Sequence, residues 1–252
     1  MKKSTPIIKA FIDTNILKFA AVKKYIYRRR QATVNWGGQL FESEYRKLYT
    51  LNDIHKIKNA IQRQDAMALA MLAYAGISGQ VEFYIHREVE FEVMGLPAMT
   101  SPSGRFFGCP IKKVADPQPP RVRIIAGGNK SHKEHSLDFM CSIENPRFIE
   151  LIKMTGAYQG KSKPLNLNQA RDAYHIWCAE NAQVDYFLTM DYKLKKVVEQ
   201  SKIKTAVKIV TPVQFLKVIV PKFGFVGALK FLWSGYQFAK PRVGFDETDG
   251  WT

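Results

Sequence analysis

Four short apolar segments, separated by stretches long enough for helices, constrain the fold of this chain most strongly. They are residues 7–12 (IIKAFI), 81–86 (VEFYIH), 185–191 (DYFLTMD) and 207–212 (VKIVTP). Short apolar runs are typical of buried strands, and strands that alternate with helices predict a mainly parallel sheet covered by helices on both faces. The predicted fold class is therefore α/β, with functional residues at the carboxyl ends of the strands.

Helical periodicity accounts for most of the chain between these segments. A helix predicted over residues 53–75 is rich in alanine and methionine, and Gly76 is expected directly after its C-cap. A helix over residues 166–183 begins at Asn166 or Asn168, either of which suits an N-cap. Further helices are predicted over residues 145–156, 192–202 and 212–219.

An arginine-rich segment follows the first strand. Residues 25–36, which two glycines close, are predicted to form an exposed hairpin. Its basic and aromatic side chains could bind phosphates and stack on bases, or they could form a solvated edge strand that its charges protect. The residues predicted to bind nucleic acid are Arg28, Arg29, Arg30, Trp36 and Lys193.

The remaining segments enlarge a single predicted domain. Residues 96–130 are rich in proline and glycine and are predicted to form a long loop with one strand at 121–126. The final segment is aromatic and basic, and we expect it to pack on the domain. The predicted organisation is one domain at 1–219, with insertions at about 18–64 and 96–165, and a C-terminal extension at 220–252.

The charge of the chain points to a polyanionic partner. There are 38 Lys and Arg residues against 22 Asp and Glu residues, so the formal net charge is +16. Such an excess favours nucleic acid or an anionic membrane surface. Residues 65–99 and 166–192 run against this trend, with net charges of −4 and −3. We interpret the basic excess as a phosphate-binding surround for an acidic centre.

The composition also limits where the chain works. Its three cysteines include no CxxC pair and suggest a reducing compartment, although a single bridge stays open. Polar residues interrupt the N-terminal apolar stretch, so we predict no export signal, and no apolar run reaches the ~20 residues of a membrane span. We expect a cytoplasmic protein without a transmembrane segment.

Four acidic residues fall where this architecture would bring them together. Asp13 and Asp191 end apolar strands, Glu92 lies just after another strand, and Asp172 is in the opening turns of a helix. Carboxylates crowded at one edge of a sheet repel each other, and a divalent cation removes that conflict. Mg²⁺ and Mn²⁺ prefer an all-oxygen ligand set. The sequence therefore predicts a Mg²⁺ or Mn²⁺ site.

These motifs, taken in order, resemble the PIN domain, a family of metal-dependent nucleases that includes toxin ribonucleases. The resemblance lies within residues 7–219, and each motif alone would be weak. Common toxins of this type are roughly half as long, so a different substrate stays open for this larger chain. The segments that carry the resemblance are 11–17 (FIDTNIL), 85–93 (IHREVEFEV), 172–179 (DAYHIWCA), 185–191 (DYFLTMD) and 209–216 (IVTPVQFL).

The resemblance implies a divalent-metal-dependent endoribonuclease. Such metal ions acidify water and stabilise the charge that develops on the phosphodiester, and family members leave a 5′-phosphate and a 3′-hydroxyl. Glu92 is preferred to the nearby Glu88 and Glu90 because Glu-Val at 92–93 aligns best with the family's Glu-Leu. The resemblance implies catalytic and metal-binding roles for Asp13, Glu92, Asp172 and Asp191, and orienting hydrogen bonds from Asn15 and Thr189.

Other interpretations of the same residues stay open. Asp13 and Asp191 could simply start turns, and the helix dipole favours an acid at Asp172 in any helix. His175 is expected to be a packed or hydrogen-bonded histidine. The alternatives are a catalytically silent PIN-like module that binds RNA or protein, and the toxin of a toxin–antitoxin pair with an antitoxin-like partner. A homo-oligomer also stays open.

Overall fold

Five parallel strands form the central sheet in a computed structural model of the chain. Their spatial order is β5-β4-β1-β6-β7, so β1 lies in the middle. All neighbouring pairs in this sheet are parallel, and helices flank it, which confirms the predicted α/β class. The strands are β1 (Ile8–Ile12), β4 (Val81–Ile85), β5 (Ile111–Lys113), β6 (Tyr186–Leu188) and β7 (Lys208–Val210).

The structure describes most of the chain in several ranges. In the segments 23–36 and 41–50 only the backbone is described. None of the described helices combines the length and apolar character of a membrane span. The described residues are 7–20, 23–36, 38–50, 54–94, 105–115, 117, 132–158, 160, 165–223, 227–231 and 233–234.

The helices of the described residues follow most of the predicted segments. Two 3₁₀ helices, Ile54–Lys56 and Val220–Phe223, accompany them. The helices are α1 (Thr14–Ala20), α2 (Ala60–Ile77), α3 (Arg87–Met94), α4 (His132–Cys141), α5 (Pro146–Thr155), α6 (Leu167–Asn181), α7 (Tyr192–Gln200) and α8 (Pro212–Ile219).

The arginine-rich segment, predicted as a hairpin at 25–36, lies within one strand of a hairpin whose second strand follows the predicted segment. The hairpin strands β2 (Lys23–Trp36) and β3 (Gln39–Thr50) pair antiparallel with each other. Tyr27 pairs with Arg46 and Gln31 pairs with Glu44, so the three intervening arginines stand opposite one residue. Such an irregularity bends and twists a strand. The Arg28–Arg30 run therefore falls in the one part of the described ladder where regular pairing is lost.

Apolar side chains from neighbouring strands build the core. The rings of Phe11 on β1 and Phe187 on β6 stack with centroids 5.5 Å apart. Tyr174 on α6 is fully buried and lies edge-on to the rings of Phe139 and Phe148. Since Tyr174 is on the same helix as Asp172, this packing fixes the helix that carries one of the predicted ligands.

Helix α2 begins and ends later than predicted. It begins at Ala60 because the Asn59 side chain accepts hydrogen bonds from the backbone N–H groups of Ile61 and Gln62. The assignment of Gly76 as the residue after the C-cap is wrong, because the helix continues to Ile77. Gly76 is instead required by close packing against neighbouring side chains.

Gly76→Ala is expected to destabilise the protein. The added Cβ would overlap Sγ of Cys109 and lie 2.9 Å from the Phe83 ring, so overpacking of about 1–3 kcal/mol outweighs the ~1 kcal/mol gained by alanine in a helix. Urea unfolding measures the change. In a Cys109→Ala background the same substitution should cost less, and an equal cost in both backgrounds would contradict this packing account.

The second predicted insertion also contains elements that the sequence did not reveal. Helix α4 begins at His132, in a segment for which no helix was predicted, and β5 is a short strand within the predicted 96–130 loop. The strand predicted at 121–126 lies outside the described residues. All three cysteines are free.

The C-terminal extension is described only in part. Phe231 is buried, and its ring centroid lies 5.8 Å from that of Tyr74 on α2. Trp233, in contrast, is 65% exposed. Val220, the first residue of the extension, is partly buried against the core. Residues 235–252 lie outside the described ranges, so the prediction that the extension packs on the domain is supported only near its start and at Phe231.

Candidate active site

The candidate site lies at the carboxyl end of β1. The chain runs from β1 to β4 on one side and later returns to β6 on the other. A sheet opens a crevice at such a reversal of strand order. Ile12 pairs with Leu188, so Asp13 and Thr189 come next at the same edge. The backbone N–H of Asp13 donates to the carbonyl of Leu188 at 3.0 Å.

Asp13 is held by a compact set of hydrogen bonds. The residue is only 5% exposed, and Oδ2 accepts hydrogen bonds of 2.6 Å from Nδ2 of Asn15 and from the Thr189 hydroxyl. The Asn15 amide oxygen accepts from the backbone N–H of Met190 at 2.8 Å. Asn15 and Thr189 thus fix the orientation of the Asp13 carboxylate, and they tie the end of β1 to the end of β6.

Asp191 is the N-cap of α7. Its Oδ1 accepts hydrogen bonds of 2.9 Å from the backbone N–H groups of Lys193 and Leu194. Its own N–H donates to the Thr189 hydroxyl at 2.9 Å. The capping role expected from a turn-starting aspartate is therefore present, and it engages only one of the two carboxylate oxygens within the described residues.

The three glutamates of α3 have different surroundings. Glu88 is fully buried, and its Oε1 lies 3.3 Å from Nε of Arg171. Glu90 pairs with Lys113 at 2.8 Å. Glu92 approaches His175, with 3.5 Å between Oε1 and Nε2. Of the three, Glu92 is the one that the structure brings to the site.

The pKa of Asp172 is raised by burial and by neighbouring negative charges. Burial raises the pKa of its carboxyl, and the negative charges of Asp13, Asp191 and Glu92 raise it further, to about 8, against a smaller lowering by His175. The other three predicted ligands therefore lie within electrostatic range of Asp172. Asp172 is protonated at neutral pH in the metal-free protein.

His175 lies between two of these carboxylates. Its Nδ1 is 3.7 Å from Oδ1 of Asp13, and its side chain is 2% exposed. Burial lowers the pKa of a histidine, but Asp13, Glu92 and Asp172 outweigh this effect and raise it to about 9. Burial also raises the pKa of Asp13, but His175 and Thr189 lower it more, so it is below its ordinary value. His175 is a buried cation.

The importance of His175 was missed in the sequence. It follows Asp172 by three residues on one helix, a spacing that places both side chains on the same face. That spacing was the available signal. The signal could not reveal the contacts with Asp13 and Glu92, because those residues come from β1 and α3.

A cleft opens beside the two acids of α6 and α7. Its volume is about 310 Å³, and it lies between the first turns of these helices. The predicted phosphate-binding residue Lys193 is exposed and lines it. The side chains of Arg28, Arg29, Arg30 and Trp36 lie outside the described part of the structure, so their proposed role stays a prediction. The polar residues that line the cleft are Thr155, Asn166, Asn168, Gln169, Asp172, Asp191 and Lys193.

The donor chemistry suits Mg²⁺ or Mn²⁺, but the present arrangement is not that of a formed ion site. Carboxylate oxygens are the ligands that these ions prefer, and burial together with the charges of Asp13, Asp191 and Glu92 raises the pKa of Asp172. Among the residues that the structure describes, no group of three or more Asp, Glu, His or Cys side chains is placed to hold a metal ion. His175 stands beside Asp13 and Glu92 instead.

Asp172→Asn is expected to stabilise the metal-free protein at alkaline pH. The pKa of Asp172 is raised from about 4 to about 8 in the folded state, so the folded protein binds more protons than the unfolded chain between these values. Wild-type stability therefore falls as the pH rises from 4 to 8. Because asparagine removes this loss, we expect a gain of at least about 1 kcal/mol at pH 8.

Urea unfolding in EDTA at pH 5 and pH 8 measures this difference. The gain from Asp172→Asn should be larger at pH 8 than at pH 5. An identical difference at both values would show that Asp172 does not carry the strain of the acidic cluster.

A search against protein-family models found no match, and a search of curated proteins found no significant relative.

Proposed function

We propose that this chain is a divalent-metal-dependent endoribonuclease, with Asp13, Glu92, Asp172 and Asp191 as the ligands of a Mg²⁺ or Mn²⁺ centre. The observation that carries the proposal is the gathering of the four acids: Asp13 and Glu92 both approach His175, and Asp172 and Asp191 line one cleft. Four acids that repel one another at the carboxyl edge of a parallel sheet are costly unless a cation joins them. The PIN-like motifs favour the same chemistry.

The residues around the acids support this function by orientation. Asn15 and Thr189 both donate to the same oxygen of Asp13, so the other oxygen, Oδ1, is the one left toward His175. Asp191 likewise uses Oδ1 for the helix cap. Hydrogen bonds of this kind fix a ligand before an ion binds. A bound Mg²⁺ or Mn²⁺ would supply a nucleophile from water near neutral pH and stabilise the charge on the phosphate.

Basic residues would position the RNA backbone. Lys193 follows Asp191 in the first turn of α7 and lines the cleft, and the hairpin adds Arg28, Arg29 and Arg30 to the proposal. Contacts with phosphates release counterions, so salt should weaken RNA binding. The preference for RNA over DNA rests on the family resemblance alone.

A second candidate function is a PIN-like module that binds RNA or protein without cutting. The position of His175 favours it, because an imidazolium beside Asp13 and Glu92 neutralises part of the acidic cluster without a metal ion. In that case divalent cations should bind weakly, and RNA binding should not depend on them.

Cleavage of a structured RNA by purified protein separates the two candidates. The nuclease proposal predicts internal cuts in Mn²⁺ and none in EDTA, with a 5′-phosphate on the downstream product. Binding without cutting, across a broad panel of RNAs in Mn²⁺ and Mg²⁺, would favour the silent module instead.

A further inference from the structure

The cleft beside Asp172 and Asp191 is also lined by three amide side chains, which the proposed metal centre does not use. Asn166, Asn168 and Gln169 all line it, next to the two acids. Its volume of about 310 Å³ reaches the lower end of the range of about 300–1,000 Å³ that is usual for small-molecule sites. The cleft is therefore large enough to hold one unit of a polymeric substrate next to the reacting phosphate.

The polar ends of these amides are available to a ligand. The side chains of Asn168 and Gln169 form no hydrogen bond with another described residue. Their polar atoms are not among the buried side-chain atoms that lack a hydrogen-bond partner, and neither residue is buried. Asn166 uses its amide oxygen to cap α6, which leaves its NH₂ group without a partner among the described residues. The amide donors and acceptors of these three residues thus lie together at the N-terminal end of α6.

The Gln169 side chain lies beside the C-terminal end of α5. The C-cap of α5 is Gly156, whose backbone is left-handed with φ of +75°. The Gln169 Nε2 lies 3.5 Å from the point that a Cβ on Gly156 would occupy, so the amide is close to this glycine.

The amides and the acids favour different parts of a nucleotide. Carboxylates repel a phosphate unless a cation lies between them, whereas a base is neutral and offers both donors and acceptors at its edge. Asparagine and glutamine form paired hydrogen bonds with adenine. Bases of single-stranded RNA expose these edges, whereas the narrow major groove of an RNA helix hides them. Leu194, which is buried and lines the cleft, adds an apolar surface for a ring.

Resting on the proposed nuclease function, we propose that the cleft binds the base of the nucleotide adjoining the scissile phosphate in single-stranded RNA, and that Asn168 and Gln169 select adenine. Lys193 binds the neighbouring backbone phosphate without regard to the base. Residues of α6 thus select the base, whereas a residue of α7 binds the phosphate.

Fluorescence anisotropy with labelled A8, U8 and C8 oligoribonucleotides in EDTA tests the proposal without cleavage. Wild-type protein should bind A8 about tenfold more tightly than U8 or C8. The Asn168→Ala, Gln169→Ala double variant should reduce this ratio below about twofold. Lys193→Ala should weaken all three complexes by a similar factor. Gln200→Ala, which removes an exposed amide at the far end of α7, should change nothing, and thermal unfolding should show that every variant folds.

Three results would overturn the proposal: equal affinity of wild type for the three RNAs, an adenine preference that survives the double substitution, or absence of RNA binding. Mapping cut sites in Mn²⁺ keeps this inference distinct from the proposed function. Adenine-selective binding without cleavage would retain the base site and reject the nuclease, whereas cleavage without an adenine preference would do the reverse.

Discussion

Asp13→Asn and Asp191→Asn should each lower the single-turnover rate of RNA cleavage in Mn²⁺ by at least about a thousandfold. Loss of one electrostatic contact to the charge that develops in the transition state costs about 10²–10³-fold in other enzymes, and loss of a ligand charge removes metal affinity in addition. Asparagine is as good an N-cap as aspartate, so Asp191→Asn should keep the cap of α7 while it removes the charge.

Asp185→Asn is the matched control for these variants. Asp185 directly precedes β6, at the amino end of the strands and away from the candidate site. Its side chain accepts a hydrogen bond from the backbone N–H of Lys9. Its substitution should leave the rate within about twofold of wild type. Equal cleavage by wild type and by both site variants would show that a contaminating nuclease does the cutting.

Binding of Mn²⁺ should become tighter as the pH rises toward 8. The pKa of Asp172 is about 8 and that of His175 is about 9 in the metal-free protein. A carboxylate must lose its proton to hold a metal ion, so each released proton changes the apparent affinity about tenfold per pH unit below its pKa. Between pH 6.5 and pH 7.5 we expect a gain of at least about tenfold.

Titration calorimetry in two buffers with different ionisation enthalpies measures both the affinity and the number of released protons. Wild type should release at least one proton for each Mn²⁺ bound at pH 7. Asp172→Asn should release fewer protons and bind the ion more weakly. An affinity that is independent of pH, without proton release, would contradict the protonation of Asp172 in the metal-free protein.

The position of the acids at strand ends could be predicted because apolar runs are visible in the sequence. Asp13 follows β1, and the pairing of Ile12 with Leu188 then brings it next to the residues after β6. The hydrogen bonds of Asn15 and Thr189 to Asp13 depend on the same register. A local sequence pattern was thus enough to predict these positions, because strand pairing in the sheet provides the long-range contact.

Other features depend on contacts that no local pattern contains. The charge of His175 arises from Asp13 and Glu92, which lie 162 and 83 residues earlier in the chain. Gly76 resembles a helix-ending glycine in the sequence, but Cys109 and Phe83 decide its role. The amides of α6 come next to Asp191 only because the first turns of α6 and α7 line the same cleft. Tertiary packing, rather than propensity, decides all three.

Anomalous scattering from a crystal soaked in Mn²⁺ tests the metal centre most directly. The account predicts a peak at about 2.0–2.3 Å from carboxylate oxygens of at least three of the four proposed ligands, Asp13, Glu92, Asp172 and Asp191. His175 should then no longer lie against both Asp13 and Glu92. No peak at saturating Mn²⁺, with His175 still beside both carboxylates, would contradict the proposal of a metal-dependent nuclease.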